Sequence, residues 1–368
     1  MEYIYPFSAI VGQELMKLAL ILNIIDPSIG GVLIRGEKGT AKSTAVRSLA
    51  NLLPEIKVVK NCRFNCDPDD FTSLCEECKE KLKKGEKLEY EFRKIKVVNL
   101  PLGATEDRVI GTVDIEKILK NGIKSFEPGI LAEANRGILY IDEVNLLSDH
   151  LIDTILDASA MGKNYIEREG ISISHPSKFV LIGTMNPEEG DLRPQLLDRF
   201  GLCVEIEGIK SVKNRVEIVK RREEFEKNPE KFIKKWEKFD KKLSRKIIRA
   251  KKNLEKVKIS DKILEMIAQI SIDTNVDGHR ADIVMEKTAK ALCAFYGEKN
   301  VNETHIRISA KLSLPHRMRK NPFEEMEVEA DVIEKAIKKV KEGEVKREDK
   351  EESSIIFVEK KNLKIAGN

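Results

Sequence analysis

An eight-residue segment between an apolar run and a helical pattern constrains the fold of this chain more than any other feature. The segment reads Gly36-Glu37-Lys38-Gly39-Thr40-Ala41-Lys42-Ser43; it follows Val32-Leu33-Ile34 and precedes a helix predicted to begin near Thr44. A glycine-rich turn between a strand and a helix aims backbone N–H groups and the helix N-terminus at a polyphosphate. The segment therefore predicts an α/β fold that binds a nucleoside triphosphate.

Two side chains of this phosphate loop have predicted roles. Lys42 is expected to contact the β- and γ-phosphates, and the hydroxyl of Ser43 to hold the accompanying Mg²⁺. The common pattern has glycine before the lysine, whereas this chain has Ala41. Its methyl group falls where backbone crowds phosphate, so we expect slightly weaker binding at an intact site.

Two carboxylates follow a second apolar run. Ile138-Leu139-Tyr140-Ile141 ends in Asp142 and Glu143. Ligands of open α/β sheets bind beyond the carboxyl ends of the strands, so both carboxylates are expected at the phosphate site. Asp142 is predicted to belong to the magnesium shell, and Glu143 to polarise the water that attacks the γ-phosphate.

β-Branched runs alternate with helical patterns over residues 1–210, which predicts a doubly wound parallel sheet. The predicted strands cover residues 32–34, 96–100, 138–141, 179–182 and 202–206. Residues 211–259 are dense in Lys, Glu and Arg and are predicted to be solvated linking helices. Helical spacing predicts an all-helical domain over 260–322. The charged residues 323–368 are predicted to be a mobile tail, in which Ile355–Val358 could dock as a strand.

The bulk properties disfavour several kinds of partner. The 368 residues include 66 basic and 62 acidic side chains, so a formal charge of +4 gives no overall field toward nucleic acid or anionic lipid. No apolar run approaches the roughly 20 residues of a membrane span, and the N-terminus lacks the pattern of a signal peptide. We therefore expect a cytoplasmic protein.

Four of the six cysteines lie in one segment, an insert at about residues 60–80. The spacing Cys62-x3-Cys66-x8-Cys75-x2-Cys78 suits a tetrahedral zinc site or an iron–sulfur cluster. In a reducing compartment, clustered cysteines indicate metal sooner than disulfides. Bound metal and reduced surface thiols are both open at this point, and structural zinc is the first expectation if metal binds.

Two later segments resemble parts of the AAA+ ATPase family. Gly183-Thr184-Met185-Asn186-Pro187 follows a predicted strand and resembles sensor 1, which implies that Asn186 bonds the attacking water or the γ-phosphate. Leu192–Gly201 resembles the subunit-interface segment. The resemblance makes Arg199 an arginine finger, which neutralises charge on the phosphoryl group held by a neighbouring subunit.

Two more sites follow from the same resemblance. Gly278-His279-Arg280-Ala281-Asp282 is similar to sensor 2, so Arg280 is expected to reach back to the γ-phosphate. Ile10, Val11 and Gly12 are expected to surround the adenine. Without the surrounding motifs, we would expect Arg199 and Arg280 each to form a surface salt bridge.

Longer stretches resemble the I subunit of magnesium chelatase. They cover most of Pro6–Gly201 and continue later, and they are Pro6–Gln13, Leu102–Gly111, Phe126–Ala132, Glu167–Pro176, Asn186–Gly190 and Leu314–Arg319. That family belongs to an AAA+ clade with two additions. One is an insert in helix 2, expected at about residues 107–127, and the other is a hairpin before sensor 1, expected near Tyr165–Ser174.

The family resemblance implies partners and a reaction. In that family the I subunit hydrolyses ATP within a homo-oligomeric ring, here expected to be a hexamer. It docks on a D-type subunit with an integrin-I-like domain and drives a large H-type or CobN-type subunit that inserts metal into a tetrapyrrole. Cobalt chelatases share this arrangement, so magnesium and cobalt both stay open. Other members of the family lack the four cysteines, which are therefore not required by the motor.

Three other functions fit parts of the sequence. A nucleic-acid translocase of the same clade would use the hairpin, but Lys163 and Glu167–Glu169 have mixed charge where a DNA-tracking loop is basic. A MoxR-like chaperone ATPase that matures a metalloenzyme would use a similar integrin-I-like partner. A scaffold that does not hydrolyse ATP is disfavoured by the intact Glu143 and Arg199.

Overall fold

A parallel sheet of five strands forms the centre of the computed structural model, which describes residues 3–113, 126–168, 171–318 and 330–343. The strands in these residues are β1 (Val32–Gly36), β2 (Ile56–Val59), β3 (Tyr90–Arg93), β4 (Val97–Leu100), β5 (Gly111–Val113), β6 (Phe126–Pro128), β7 (Ile138–Ile141), β8 (Lys163–Arg168), β9 (Ile171–Pro176), β10 (Val180–Met185) and β11 (Leu202–Ile206). The central sheet has the order β11-β1-β10-β7-β4, with every neighbouring pair parallel. The predicted sheet is confirmed.

Helices cover both faces of this sheet and form the C-terminal part of the chain. They are α1 (Glu14–Ile25), α2 (Lys42–Asn51), α3 (Glu76–Lys83), α4 (Glu106–Ile110), α5 (Ile130–Glu133), α6 (Asp149–Met161), α7 (Pro194–Arg199), α8 (Val212–Lys227), α9 (Pro229–Asn253), α10 (Asp261–Asp273), α11 (Arg280–Tyr296), α12 (Glu303–Ser313) and α13 (Ala330–Glu342). Alternate residues of a strand point to opposite faces. Ile34 therefore packs with α1 and the C-terminal helices, while Leu33 packs on the other face with α6.

The cysteines lie in a lobe larger than the insert predicted at residues 60–80. This cysteine lobe spans Ile56–Arg93, because β2 and β3 pair antiparallel at its base, with Ile56 opposite Arg93. Helix α3 lies between these strands in the chain.

The inserts of the clade are partly described. In the helix 2 insert, β5 pairs antiparallel with β6, and residues 114–125 lie outside the described chain. The predicted hairpin before sensor 1 is confirmed, since β8 pairs with β9 from Lys163 opposite Pro176 to Arg168 opposite Ile171.

The charged segment after β11 is helical, as predicted, but it is not solvated all round. Phe225 of α8 and Phe232 of α9 are buried in a small cluster that includes Ala9 near the N-terminus. Farther along α9, Ile247 and Ala250 are fully buried in the main core. The high charge density describes only the exposed face of these helices.

The prediction of a mobile tail is wrong for residues 330–343. These residues contain α13, which packs against α10 through four buried apolar side chains, Ile333, Ala336, Ile337 and Val340. Their spacing of three and four residues is the helical period, and the charged composition obscured it. Residues 344–368, including Ile355–Val358, lie outside the described chain. Within the described residues, every helix is too short or too polar to cross a membrane.

Candidate active site at the carboxyl edge of the sheet

Two positions of the phosphate loop have a backbone conformation that favours glycine. At Gly36 the φ angle is 148°, and a Cβ atom there would lie 2.1 Å from the carbonyl oxygen of Ile206. Ala41 precedes α2 with φ 64° and ψ 21°, a left-handed conformation. This conformation costs an L-residue about 1–2 kcal/mol, which glycine avoids. The predicted departure at Ala41 therefore carries backbone strain as well as an added methyl group.

Lys42 begins α2 and lies over the loop. Its Nζ donates to the carbonyl oxygens of Gly36 and Glu37, the latter at 3.2 Å. Burial lowers the pKa of the Lys42 amine, and the carboxylates of Asp142 and Glu143 act in the opposite direction. Lys42, Asp142 and Glu143 therefore lie close enough at the ends of β1 and β7 for their charges to interact.

A tyrosine joins the two predicted magnesium ligands. The hydroxyl of Tyr140 lies 2.8 Å from Oδ1 of Asp142 and 3.1 Å from Oγ of Ser43. Thr184 donates to the same Oδ1 atom at 2.6 Å. Burial raises the pKa of Tyr140 to about 12, so its hydroxyl keeps its proton at neutral pH. Ser43 and Asp142 offer the oxygen ligands that Mg²⁺ prefers.

Glu143 stands in a strained turn directly after β7. Its φ angle is 55°, an uncommon value for a residue with a side chain, and its N–H donates to Oγ1 of Thr184 at 3.2 Å. Lys38 of the phosphate loop lies 3.5 Å from Oε1 of Glu143 and 2.5 Å from Oε1 of Glu189. The hydrogen bond to Glu189 raises the pKa of Lys38. The phosphate loop, Glu143 and the segment after β10 therefore contact one another.

Asn186 follows β10 directly, and β10 lies between β1 and β7 in the sheet. The residue therefore falls between the phosphate loop and the two carboxylates, as predicted for sensor 1. Its side chain is buried and accepts a hydrogen bond from the N–H of Glu188 at 3.3 Å. Its contact with water or phosphate stays a prediction.

A cavity of about 410 Å³ adjoins the phosphate loop. Ile10 and Val11 line it together with Lys38, Gly39, Thr40, Ala41 and Thr44. The contact of Ile10 and Val11 with adenine stays a prediction. Gly12 has φ 68°, and a Cβ atom there would lie 3.0 Å from Cδ1 of Ile209, another lining residue. Arg215 and Arg222 of α8 also line the cavity. Neither could be singled out from sequence, because both stand in a segment dense in Lys, Glu and Arg.

Arg199 lies at the opposite edge of the sheet. It ends α7 and forms ion pairs with Asp153, at 2.6 Å, and Asp157 of α6. Two residues later, the N–H of Gly201 donates to the carbonyl oxygen of Gly30, which precedes β1. The five residues of β1 therefore separate Arg199 from the phosphate loop of its own chain, a distance of about 16 Å.

The predicted contact of Arg280 with the γ-phosphate of its own chain is wrong. Nη1 of Arg280 bonds to Oδ2 of Asp198, the residue before Arg199. The physical reason is the position of the C-terminal helices, since α12 lies against β11 and Lys287 of α11 donates to the carbonyl oxygen of Ser28. The predicted sensor 2 arginine is therefore placed beside the predicted arginine finger.

A buried arginine, Arg317, fixes this arrangement. Its Nε lies 3.1 Å from Oδ1 of Asp198, and its Nη atoms donate to the carbonyl oxygens of Phe200, at 2.6 Å, and Gly201, at 2.9 Å. Burial lowers the pKa of Arg317 to about 10, so the guanidinium is still charged at neutral pH. The segment that carries Arg199 is thereby tied to the C-terminal helical domain.

Comparison with known proteins identifies the family. The model of the AAA domain (dynein-related subfamily) matches residues 81–200, and that of the AAA lid domain matches residues 264–336. The magnesium-chelatase subunit ChlI homolog of Methanocaldococcus jannaschii is 60% identical over 341 residues, which cover 93% of each chain. The magnesium-chelatase subunit ChlI of Nostoc sp. is 51% identical over 88% of this chain and 87% of that protein. This chain belongs to the ChlI family.

Solved structures agree with the ChlI assignment. A chain of the complex between subunits BchI and BchD of magnesium chelatase is 43% identical, with a TM-score of 0.52, and the match covers 91% of this chain and 100% of that chain. A structure from Cytophaga hutchinsonii, 17% identical with a TM-score of 0.59 over 90% of this chain, supports the fold alone. The predicted AAA+ ATPase fold, with its helical lid, is confirmed.

This ChlI-family chain also brings its four clustered cysteines together. The Sγ atoms of Cys62, Cys66, Cys75 and Cys78 all lie within 4.8 Å of one another, and each residue is buried. Of the two alternatives left open by the sequence, surface thiols do not match this burial, and metal binding stays a prediction. Cys203 lies in the core, where burial raises its thiol pKa to about 12.

Sequence reasoning missed several residues of the ChlI-family site. Tyr140 and Thr184 carry hydroxyl groups within strands that are otherwise apolar and buried. A polar group in such a strand is the feature of the sequence that could have pointed to them. Arg317 lay within a stretch noted only for resemblance. Its buried contacts depend on how the lid packs against the sheet.

Proposed function

We propose that this ChlI-family chain is the ATP-hydrolysing motor subunit of a multisubunit metal chelatase, which inserts magnesium or cobalt into a tetrapyrrole. One observation carries the proposal: Ser43 and Asp142, joined through Tyr140, stand beside Glu143 at the edge where the phosphate loop ends. These are the groups that binding of Mg²⁺-ATP and activation of water require. The relatives are named as magnesium-chelatase subunits, which supports metal chelation as the overall reaction.

The residues divide the work of hydrolysis. The loop N–H groups and Lys42 bind the phosphates, and Ser43 and Asp142 hold Mg²⁺, which neutralises phosphate charge when bound. Glu143 orients the attacking water and accepts its proton. Asn186 positions the same water from the neighbouring strand.

The separation of the two edges supports a homo-oligomeric ring. Arg199 and Arg280 stand at the amino edge, about 16 Å from their own phosphate loop. A head-to-tail contact would bring both arginines to the nucleotide of a neighbour, and repetition of that contact closes a ring. Ile218, which lines the nucleotide cavity, and Ile283, three residues after Arg280, are 39% and 53% exposed, which suits burial in such a contact. The proposed number of six subunits is taken from the family resemblance.

The lid gives the ring a way to transmit work. Arg317 binds the lid to the backbone from Asp198 to Gly201, so the lid and Arg199 move as one body. Loss of the γ-phosphate in one subunit would change the contact with Arg199 and would move the lid of its neighbour. We propose that this movement acts on a D-type partner with an integrin-I-like domain and on a large H-type or CobN-type subunit. The complex between BchI and BchD among the structural matches supports the first of these partners.

Affinity capture from native extract tests this function. The bait is the full chain with Mg²⁺-ATP, and the Lys42→Ala variant is the matched control. Recovery of an integrin-I-like subunit together with a large chelatase subunit, both reduced with the control bait, is the expected result. Recovery of the integrin-I-like protein with another metalloenzyme would instead indicate a MoxR-like chaperone. Recovery of nucleic acid alone, in an amount that falls as salt is raised, would indicate a translocase.

The clustered cysteines support a second proposal, a bound metal. Four buried thiols within 4.8 Å of one another fit either a zinc ion or an iron–sulfur cluster by donor chemistry. Elemental analysis of the chain purified without oxygen tests this proposal. Zinc or iron in a fixed ratio to protein supports it, and absence of both contradicts it.

A further inference from the structure

The four-cysteine site has the dimensions of a site for one ion. Sγ of Cys62 and Sγ of Cys75 are 3.9 Å apart, and the four Sγ atoms lie within 4.8 Å of one another. Tetrahedral zinc with Zn–S bonds of about 2.3 Å places its sulfur ligands about 3.8 Å apart. An iron–sulfur cluster inserts several iron and sulfide atoms between its thiolates and needs a wider cage. The observed separation favours a single tetrahedral ion.

Backbone donors support the charged form of these ligands. The N–H of Phe64 lies 3.4 Å from Sγ of Cys62, and the N–H of Cys75 lies 3.1 Å from Sγ of Cys66. Hydrogen bonds to a thiolate stabilise the deprotonated form that binds metal and orient the ligand. All four cysteines are at most 6% exposed, so a bound dication would be shielded from solvent.

The cysteine lobe lies against two pairs of antiparallel strands, β5–β6 and β8–β9. The ring of Phe64 is 5.0 Å from the ring of His175 in β9 and 6.2 Å from the ring of Phe126 in β6. Nη1 of Arg63 donates to the carbonyl oxygen of Phe126 at 2.7 Å. One dipeptide between the first two cysteines therefore contacts both the helix 2 insert and the hairpin before sensor 1.

The same lobe is anchored to the start of β7. Nδ2 of Asn135 donates to the carbonyl oxygen of Phe64 at 2.6 Å. Arg136 donates to the carbonyl oxygen of Asn65 at 3.3 Å and forms an ion pair with Asp67 at 2.7 Å. These bonds depend on the loop between the first two cysteines, whose conformation the four ligands would fix.

We propose that Cys62, Cys66, Cys75 and Cys78 hold one Zn²⁺ ion, and that this ion fixes the cysteine lobe as a brace for the β5–β6 and β8–β9 hairpins. The inference rests on the proposed metal binding at these cysteines. A structural zinc site contributes folding free energy locally, so its loss loosens the parts that pack on it. The phosphate loop lies at the far edge of the sheet from these contacts and keeps its nucleotide.

Metal content is the first measurement. The full chain, purified without oxygen or added metal, is expected to hold one zinc per chain and no acid-labile sulfide. Iron with sulfide would leave the proposed metal binding standing and overturn the inference of a single zinc ion. Absence of metal would overturn both.

Hydrogen–deuterium exchange is the second measurement. Chelator-stripped protein and the Cys78→Ser variant are compared with the zinc-loaded chain, and Cys293→Ser is the control, because Cys293 is a buried cysteine outside the site. Peptides that contain Phe126 and His175 are expected to exchange about tenfold faster without zinc. The affinity for a fluorescent ATP analogue should change less than about twofold. If the variant does not fold, the stripped protein decides.

Two results would overturn the proposal that zinc fixes the cysteine lobe as a brace for the two hairpins. One is unchanged exchange at both hairpins after zinc is removed. The other is global unfolding with loss of nucleotide binding, which would make the zinc a requirement of the whole fold.

Discussion

The guanidinium of Arg280 is paired with the carboxylate of Asp198. Because Asp198 is followed by Arg199, this pair places the lid arginine beside the predicted arginine finger. Both groups lie at the amino edge of the sheet, and the nucleotide cavity lies at the carboxyl edge. Under the proposed function, a complete catalytic site therefore requires two subunits, one that supplies the phosphate loop and carboxylates and one that supplies both arginines.

Arg280→Ala should slow ATP hydrolysis by the assembled ring about 10²-fold, because a cation at the transferred phosphoryl group is lost. The affinity of the unassembled chain for nucleotide should not change. Steady-state hydrolysis and nucleotide titration measure the two effects, and Arg307→Ala is a control, since Arg307 pairs with Glu303 and Glu334 away from this edge. Weaker binding to the unassembled Arg280→Ala chain would show that Arg280 acts within its own chain.

Glu143→Gln should leave ATP bound and reduce turnover by about 10²–10⁴-fold, because the amide cannot accept the proton of the attacking water. Trapping of radiolabelled ATP and phosphate release measure the two steps. The Glu133→Gln control removes a carboxylate that contacts Lys96 at the other edge of the sheet. Normal turnover by Glu143→Gln would disprove water activation by this residue.

Tyr140→Phe should raise the Mg²⁺ concentration needed for half-maximal hydrolysis by about tenfold, because each lost hydrogen bond to Ser43 or Asp142 is worth about 1 kcal/mol. Nucleotide affinity measured without Mg²⁺ should be unchanged. The exposed Tyr90→Phe is the control. An unaltered Mg²⁺ dependence in Tyr140→Phe would mean that the hydroxyl does not position the ligands.

Acid should destabilise the contact between lid and sheet through His316. Burial holds the pKa of this imidazole well below its ordinary value, while its ring contacts the carbonyl oxygen of Phe200 at 2.9 Å. Below about pH 6.5 the unfolded chain binds a proton that the folded chain does not, so the free energy of unfolding falls as pH falls. The slope from one group is at most about 1.4 kcal/mol per pH unit.

The His316→Gln variant isolates this effect. Denaturant unfolding at pH 7.5 and pH 5.5 should show a smaller loss of stability in the variant than in the parent chain. Burial also lowers the pKa of His175 and His305, but both residues are present in the two proteins and cancel in the comparison. An equal loss in both proteins would contradict the assignment to His316.

The nucleotide half of the site could be predicted because its signals are local. The phosphate loop, Asp142 and Asn186 each follow an apolar strand directly, and parallel strands bring their carboxyl ends to one edge whatever the rest of the chain does. The helical lid was also predictable from spacing. Within the lid, composition was misleading only for α13, where the many charged residues obscured four apolar residues at helical spacing.

The arginine half could not be predicted because its geometry depends on packing between distant segments. Arg280 is 82 residues from its partner Asp198, and Arg317 is 119 residues from it. A motif gives the identity of such a residue and says nothing of the edge at which the lid docks. The cysteine lobe shows the same limit, since spacing indicated a metal site but not its contact with the two hairpins.

Mixing two inactive variants tests the shared catalytic site most directly. Lys42→Ala lacks nucleotide binding and keeps Arg199, whereas Arg199→Ala keeps the phosphate loop and lacks the finger. When the two are combined in equal amounts and reassembled with Mg²⁺-ATP, about a quarter of the interfaces pair an intact loop with an intact arginine. The account predicts that ATP hydrolysis returns to about that fraction of the parent rate. A mixture as inactive as either variant alone would contradict it.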